Sequence, residues 1–237
     1  MSDEKSLKYN EPWILQRADP YVYRHTDGSY YFTASVPAYD GIVLRRAGSL
    51  AELSGAEEVM VWKKHESGPM SYHIWAPEIH YLFGKWYIYF AGGEKEDIWK
   101  IRPYVLECSG DDPLTDEWVE LGKMKRAAED EFSFEAFSLD ATVFENKGEY
   151  YYVWAEKVGV GKMISNLYIA KMESGNQLKT VQVLLTTPDY DWERKGFWVN
   201  EGPAVIHHDG KMFLTYSASE TGITVWECYP SMRMRTF

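Results

Sequence analysis

The sequence has few cysteines, a shortage of basic residues and no long apolar run. Its two cysteines, Cys108 and Cys228, show no metal-binding or redox spacing, and nothing in the sequence supports a disulfide between them. No segment approaches the roughly 18 apolar residues of a membrane-spanning helix. Lys and Arg number 25 against 36 Asp and Glu, a net charge of -11. That balance argues against nucleic acid or an anionic membrane as a partner, because both attract basic patches.

Several motifs are also missing. The first five residues are polar and lack the apolar segment of an export signal, which predicts a soluble cytoplasmic protein. A secreted protein whose signal had been removed would show the same pattern. There is no Gly-x-Ser-x-Gly elbow and no phosphate-binding P-loop, so nothing points to a serine hydrolase of that type or to a nucleotide-binding enzyme.

The sequence does contain a unit that recurs about every 60 residues. Each copy has an acidic residue, a short apolar strand, a turn with Gly and a strand rich in aromatic residues. Asp-Gly and Lys-Gly supply the positive φ that a tight hairpin needs. The acidic residues of the four copies are Asp19, Glu78, Asp140 and Glu201.

This repeat predicts an all-β fold. A unit of three or four antiparallel strands cannot bury both of its faces alone, whereas copies arranged around an axis can, as in a β-propeller. The acidic residues would then begin the inner strands, at one end of a central channel. The fourth copy starts only at Glu201, so we expect a single, incomplete domain of about four blades over residues 1–237. A β-sandwich with coincidental spacing is the alternative.

Carboxylates gathered at a channel mouth suit glycoside hydrolysis. One carboxyl group protonates the leaving oxygen, and another acts as a base on water or as a nucleophile. A neighbouring carboxylate keeps the acid protonated by like-charge repulsion. A purely structural role, with each acid capping a turn, stays open as an alternative. His73 and His80 match no zinc spacing, so no metal ligands are predicted.

Three of the acidic segments resemble glycoside hydrolase family 43, which consists of five-bladed β-propellers that hydrolyse arabinose- and xylose-containing polysaccharides with inversion. They are segments 17–20 (Arg-Ala-Asp-Pro), 138–142 (Ser-Leu-Asp-Ala-Thr) and 200–203 (Asn-Glu-Gly-Pro). The resemblance implies that Asp19 is the general base and Glu201 the general acid. It also implies that Asp140 orients the acid and modulates its pKa. Glu78 is assigned to the equivalent position of the second copy but has no role in this chemistry.

Further segments are most similar to the α-L-arabinofuranosidase branch: 31–37 (Tyr-Phe-Thr-Ala-Ser-Val-Pro), 65–68 (His-Glu-Ser-Gly) and 74–78 (Ile-Trp-Ala-Pro-Glu). This resemblance implies release of arabinose from arabinan or arabinoxylan, with an arabinose- or xylose-containing oligosaccharide as the partner. A β-xylosidase or an endo-arabinanase remains an alternative. Trp75 is a candidate sugar-binding residue, with simple packing as the other interpretation. No cofactor is required, although the family allows a structural cation in the central channel.

The resemblance fails near the end of the chain. Nothing matches the fifth blade of the family, and the pattern stops after Gly222, so that residues 223–237 form an atypical tail. This predicts a C-terminally truncated enzyme, and one hypothesis is a frameshift after about residue 222; a divergent natural terminus would give the same result. An open wheel would hold its catalytic groups less accurately. An inactive fragment or a non-catalytic sugar-binding propeller therefore competes with the enzyme hypothesis.

Overall fold

The computed structural model describes residues 12–158 and 164–220 and the backbone of residues 235–236. Two short 3-10 helices, Ala51–Gly55 and Asp191–Glu193, accompany sixteen strands. The strands are β1 Ala18–Arg24, β2 Tyr30–Ser35, β3 Gly41–Ala47, β4 Val59–Lys63, β5 Tyr72–Leu82, β6 Lys85–Glu94, β7 Asp97–Cys108, β8 Val119–Lys123, β9 Ser138–Asn146, β10 Glu149–Val158, β11 Ile164–Ser174, β12 Gln177–Leu178, β13 Val183–Thr186, β14 Trp198–His208, β15 Lys211–Ala218 and β16 Arg235–Thr236.

The strands form four antiparallel units in chain order, which confirms the predicted all-β fold. The first unit is β1 to β4 and the second is β5 to β8. In the third unit β9, β10 and β11 pair in sequence, and both β12 and β13 pair with β11. The fourth unit is β14 to β16, and a short parallel pairing of residues 164–165 with 198–199 joins it to the third.

Tight turns fix the register of the inner hairpins, as the Gly-containing repeats predict. Lys147 and Gly148 have φ values of 54° and 79°, and Asp209 and Gly210 have 49° and 70°. Two successive positive φ angles define the type I′ turn, whose twist matches that of the flanking strands. Because a fixed register decides which side chains share a face of the sheet, the apolar residues of each hairpin can lie together against the neighbouring unit.

The core lies between the units and contains most of the large aromatic side chains. Tyr89, Tyr152 and Trp154 are fully buried between the second and third units. Tyr31 and Trp86 fill the space between the first and second units. Aromatic rings contribute large apolar areas to a sheet interface, which explains why 16% of the chain is aromatic.

The first strand of each unit faces a common axis. β5 packs against β1, β9 packs against β5, and β14 packs against β9. No comparable packing joins β1 to β14 within the described residues, so the wheel is open between its first and fourth units. The predicted tail, 223–237, lies outside the described residues except for the backbone of 235–236.

Two smaller expectations concern cysteine and membranes. Cys108 is buried and free, while Cys228 lies outside the described residues. Across the described ranges, no helix combines the length and apolar character needed to cross a membrane.

Candidate active site

Each inner strand carries a β-bulge near one end of the channel. The register shifts between Ala18 and Tyr21 in β1, and equivalent shifts occur in β5, β9 and β14. A residue with positive φ lies within each bulge: Asp19 at 49°, Ala76 at 45°, Asp140 at 50° and Gly202 at 60°. Bulges redirect side chains out of the regular alternation of a strand, and they are common beside functional sites. Here they turn parts of four strands toward one region.

The bulges correct the assignment of Glu78. Its repeat-equivalent position in the second unit is occupied by Ala76, and Glu78 lies two residues further along β5. Its carboxylate contacts His80 Nε2 at 2.9 Å and hydrogen-bonds Thr142. Burial raises the pKa of Glu78, and these hydrogen bonds oppose that rise. The sequence spacing misplaced this residue because β5 carries two register shifts, between Tyr72 and Trp75 and between Trp75 and Glu78, and a count along the chain does not reveal them.

Asp19, Asp140, Glu201 and Trp75 all line one open cavity of about 800 Å³. The structure therefore brings together the four residues that the sequence selected, from all four units. The remaining walls are mainly apolar or aromatic; they comprise Ala18, Tyr39, Trp99, Phe137, Leu139, Lys157, Phe197, Val199, Ser219 and Glu220. A cavity with apolar walls and a few convergent polar groups is the usual form of a small-molecule site.

Ser35 holds the carboxylate of Asp19. The Ser35 hydroxyl donates to Asp19 Oδ2 at 2.8 Å and accepts the backbone N–H of Ala76 at 2.8 Å. Because Ser35 belongs to β2 and Ala76 to β5, this relay ties Asp19 to both the first and the second unit. The otherwise exposed Asp19 side chain is thereby oriented by a group whose own position is fixed.

Asp140 is tied to the fourth unit. The backbone N–H of Gly202 donates to Asp140 Oδ2 at 3.0 Å. Burial raises the pKa of Asp140 well above its usual value, the charges of Glu201 and Asp19 add to the rise, and the Gly202 hydrogen bond opposes it. Like charges gathered in a partly enclosed space disfavour simultaneous ionisation. The cavity can therefore retain a proton among its carboxyl groups at a pH where an isolated aspartate would be charged.

Buried carboxylates outside the cavity fix the segments that lead into two of these strands. Glu193 accepts the backbone N–H groups of Asp189 and Tyr190 at 2.7 Å each, and the Tyr216 hydroxyl at 2.7 Å. Asn200, the neighbour of Glu201, also donates to Glu193 at 3.3 Å. This network sets the start of β14 and therefore the position of Glu201.

Glu156, the second buried carboxylate, fixes the segment that leads into β9. Glu156 accepts the backbone N–H groups of Phe134 and Ala136 at 3.0 Å each and the indole N–H of Trp154 at 2.8 Å. Burial raises its pKa, and these donors oppose the rise. The segment before Asp140 is thus attached to β10 near its C-terminal end. Nothing in a single sequence marks Glu156 or Glu193 as different from surface glutamates.

Lys157, at the end of β10, is the one basic side chain among the described residues of the cavity wall. Its ammonium group lies 4.1 Å from the centre of the Phe137 ring. Burial lowers the pKa of Lys157, and the charge of Glu201 opposes this shift. Sequence reasoning missed Lys157 because it carries no motif, and missed Trp99 because it lies outside the repeated acidic segments.

Removing the Ser35 hydroxyl should weaken the site without unfolding the chain. In Ser35→Ala, Asp19 loses its donor and the Ala76 N–H loses its acceptor, so we expect kcat to fall about 10- to 100-fold with little change in KM. Ser54→Ala, on the exposed short helix, is the matched control. The resemblance described above implies an arabinofuranoside as substrate, and steady-state kinetics on it measure both variants. Equal activity of the two variants would contradict the role assigned to Ser35.

Asp140→Asn should stabilise the chain at neutral pH while removing a carboxylate from the site. The raised pKa of Asp140 means that the folded state binds its proton more tightly than the unfolded state. The free energy of unfolding of the wild type therefore falls as pH rises from the usual value near 3.8 through the raised pKa. Asparagine does not titrate, and its carbonyl can still accept the Gly202 N–H.

Melting temperatures measured from about pH 3.5 to about pH 8 test this linkage. We expect wild type and Asp140→Asn to differ little at the acid end, and the variant to be increasingly more stable as pH rises. A difference in melting temperature that is constant with pH would show that the protonation of Asp140 is not coupled to folding.

Glu193→Gln should destabilise the fold. Both carboxylate oxygens of Glu193 now accept hydrogen bonds: one from the backbone N–H groups of Asp189 and Tyr190, the other from the Tyr216 hydroxyl and the Asn200 amide. Whichever way the glutamine amide is turned, its NH₂ group faces one of these pairs of donors and leaves donors unpaired. We expect the free energy of unfolding to fall by about 3 kcal/mol, measured by urea denaturation. Glu173→Gln, at an exposed position, should change it by less than about 0.5 kcal/mol. Equal midpoints for the two variants would rule out a structural role for the Glu193 network.

No group of three or more His, Cys, Asp or Glu side chains in the described ranges could hold a metal ion. His73 and His80 do not meet: His73 stacks on Trp75, whereas His80 bonds Glu78 inside the channel. The structural cation that the resemblance allows in the channel stays a prediction.

The geometry agrees with a family match that extends over nearly the whole chain. The family model for glycosyl hydrolases of family 43 matches residues 9–234. The chain belongs to this family. The chain covers 66% and 64% of two solved structures that it resembles.

Several proteins named as arabinofuranosidases are similar to the chain over most of its length. It is 47% identical over 213 residues to an extracellular exo-α-(1→5)-L-arabinofuranosidase of Streptomyces chartreusis, covering 90% of this chain and 63% of that protein. It is 48% identical to a protein of the same name from Streptomyces avermitilis, covering 91% of this chain and 44% of the relative. The crystal structure of an α-L-arabinofuranosidase from Lactobacillus brevis matches with a TM-score of 0.79 and 52% identity, over 89% of this chain and 66% of that one.

These matches bear on two expectations from the sequence. The resemblance to the arabinofuranosidase branch of family 43 is confirmed, and the chain spans less than two thirds of the length of these curated relatives. The prediction of a cytoplasmic location is wrong, because both Streptomyces relatives are named as extracellular enzymes. A polar first segment was too weak a basis for that prediction.

Proposed function

We propose that this chain is the catalytic unit of a glycosidase that releases arabinose from arabinan or arabinoxylan with inversion of configuration. One observation carries the proposal: carboxyl groups of the first, third and fourth units line a single cavity whose other walls are largely apolar. Two carboxyl groups placed across a glycosidic bond are the minimum that this hydrolysis needs. The names of the relatives support arabinose as the released sugar.

Direct displacement assigns each carboxyl group a task. Asp19 takes a proton from a water molecule as the water oxygen attacks the anomeric carbon. Glu201 donates its proton to the departing glycosidic oxygen as the bond from that oxygen to the anomeric carbon breaks. Asp140 favours the protonated form of Glu201 by its charge and helps to orient it. A water molecule must fit between Asp19 and the sugar, so carboxyl groups of Asp19 and Glu201 about 6.5 to 9.5 Å apart are expected.

The Ser35 relay supports the role of Asp19 as base. A hydrogen bond from Ser35 leaves one oxygen of Asp19 free to accept a proton and fixes the direction in which that oxygen faces. A base within hydrogen-bond reach of a positioned water accelerates such steps by about 10²- to 10⁴-fold. The exposed position of Asp19 in the open cavity also lets water reach it.

A second candidate function follows from the gap between β1 and β14. If the gap lets Asp19 and Glu201 drift by about 1 Å, about a hundredfold in rate is lost, and the chain would bind arabinose-containing oligosaccharides without measurable turnover. β-Xylosidase and endo-arabinanase activities are further alternatives within the same fold. The open cavity by itself does not distinguish these sugars and linkages.

Hydrolysis of nitrophenyl α-L-arabinofuranoside by the purified chain tests the proposal, with nitrophenyl β-D-xylopyranoside as the competing substrate. We expect arabinofuranoside turnover that is at least about tenfold higher in kcat/KM. Equal or preferential xylopyranoside hydrolysis would make the chain a xylosidase. Binding of arabino-oligosaccharides by folded protein, without release of arabinose, would support the second candidate.

A further inference from the structure

An aromatic wall, formed by Tyr39, His73, Trp75 and Trp99, extends from the carboxylates to the rim of the cavity. The His73 ring lies 4.3 Å from the Trp75 ring and 5.3 Å from the Trp99 ring, with interplanar angles of 35° and 34°. Tyr39 meets Trp75 edge-on at 6.0 Å. The three rings therefore form a triangle in which each contacts the other two, since the Trp75 and Trp99 rings are themselves 6.4 Å apart.

The wall has an inner and an outer end. Trp75 lines the cavity together with the carboxylates, and its neighbour Ala76 donates its N–H to the Ser35 hydroxyl that in turn bonds Asp19, which places the inner end of the wall at Trp75. Trp99 lies at the start of β7 and is 62% exposed. A sugar held by the carboxylates would thus meet Trp75 first, and a unit attached to it would reach Trp99.

His73 is held there against opposing local preferences. Its φ of 50° is unusual for a residue other than Gly, and its Nε2 is buried without a hydrogen-bond partner among the described residues. Burial, aided by the nearby Lys64, lowers its pKa, which keeps the ring neutral and able to stack. Local strain and an unpaired polar atom of this kind persist where surrounding packing imposes them.

We propose that Trp99, aligned by His73, is the binding platform for the sugar unit next to the one that is released. This inference rests on the proposed function, and it deepens that function by naming the side chain that holds the second sugar unit of the substrate. A flat, rigid and largely exposed indole offers apolar area to the C–H face of a sugar ring at little entropic cost. The apolar side chains Phe197 and Val199 line another part of the same cavity, where they exclude water from a bound chain.

The test compares two substrates on two variants. Trp99→Ala should raise KM for a linear arabinotriose about tenfold, a change of about 1.4 kcal/mol in binding, and leave kcat within about twofold. On methyl α-L-arabinofuranoside, whose aglycone carries no ring to contact the indole, both constants should stay within about twofold. Trp99→Phe retains a flat ring and should recover most of the arabinotriose affinity.

A control separates loss of the platform from loss of an exposed aromatic ring. Phe132→Ala removes a side chain that is 69% exposed and is not part of the cavity wall. It should leave KM and kcat unchanged on both substrates. An equal rise in KM on both substrates, or no rise on either, would overturn the platform. The melting temperature of Trp99→Ala shows whether this variant is folded. If it is not, Trp99→Phe replaces it, with a smaller expected rise in KM for arabinotriose.

A binding measurement keeps this inference distinct from the proposed function. Calorimetric titration of Glu201→Gln with arabinotriose needs no turnover, and we expect the added change Trp99→Ala to weaken binding about tenfold. If the wild type hydrolyses no arabinofuranoside but Trp99→Ala weakens arabinotriose binding, the platform stands and the hydrolase proposal fails. If the wild type is active and affinity is unchanged by Trp99→Ala, the platform fails and the hydrolase proposal stands.

Discussion

Replacing Glu201 by Gln is expected to lower kcat/KM on arabino-oligosaccharides about 10³-fold. Glutamine has nearly the same shape but cannot donate a proton to the departing oxygen. A sugar alkoxide is a poor leaving group, so this substrate depends on the general acid. Nitrophenolate leaves without protonation, and the loss on nitrophenyl arabinofuranoside should therefore be only about tenfold.

The difference between the two substrates identifies the role of Glu201 better than either loss alone. A variant that is merely distorted would lose the same factor on both. Melting temperature confirms that the fold is intact, and the exposed substitution Glu173→Gln serves as the isosteric control. Equal losses on both substrates would remove Glu201 from the position of general acid.

Replacing Asp19 by Asn is expected to lower kcat about 10³- to 10⁴-fold on both substrates. The asparagine side chain can still accept the Ser35 hydrogen bond, so the geometry of the site is retained while the proton acceptor is lost. Since activation of water is required whatever the leaving group, the loss should not depend on the aglycone. Steady-state rates on arabinotriose and on the nitrophenyl glycoside measure this.

Azide provides a specific check on Asp19→Asn. The anion is already nucleophilic and needs no base, so in the space vacated by the attacking water it should form β-arabinofuranosyl azide as the glycosidic bond breaks. Recovery of nitrophenol release with added azide is expected for Asp19→Asn and not for the wild type. A variant that loses only a few fold in rate, or that yields the α-azide, would contradict the assignment of Asp19 as base.

The repeat could be predicted because its turns depend on residue types that are adjacent in the sequence. The pair Asp209-Gly210 and the pair Lys147-Gly148 allow only a few backbone conformations, so the residue types alone locate the hairpins between the aromatic strands. The cavity could be predicted in part from the same repeat, since Asp19 and Asp140 occupy the bulges of their inner strands and Glu201 directly precedes the bulge residue Gly202. A resemblance to family 43 then gave roles that spacing alone left open.

Other features depend on tertiary contacts and could not be read from one sequence. Glu78 was assigned the repeat-equivalent position on spacing, although the bulge in β5 falls at Ala76. Bulges add a residue to one strand only, so a count along the chain does not reveal which residue faces the axis. Ser35 and Glu193 act through hydrogen bonds to residues distant in sequence, and their own segments carry no sign of this.

Hydrogen bonds between neighbouring units support the site in the open wheel. The contacts of Asp140 with Gly202 and of Ser35 with Ala76 cross between units, so they join neighbouring blades at the level of the carboxylates. These cross-links can hold the site together although β1 and β14 do not pack against each other within the described residues. The burial of Asp140 and the negative charges of Glu201 and Asp19 beside it oppose that benefit, which is why neutralising Asp140 is expected to stabilise the fold.

The configuration of the first sugar released tests the central claim most directly. Proton NMR of the chain acting on an α-L-arabinofuranoside, recorded before the anomers equilibrate, distinguishes the two outcomes. Direct attack by a water molecule that Asp19 activates predicts β-arabinofuranose as the first product. The α anomer appearing first would require a covalent intermediate, and a folded chain that releases no arabinose would show that the three carboxyl groups do not form a working hydrolase.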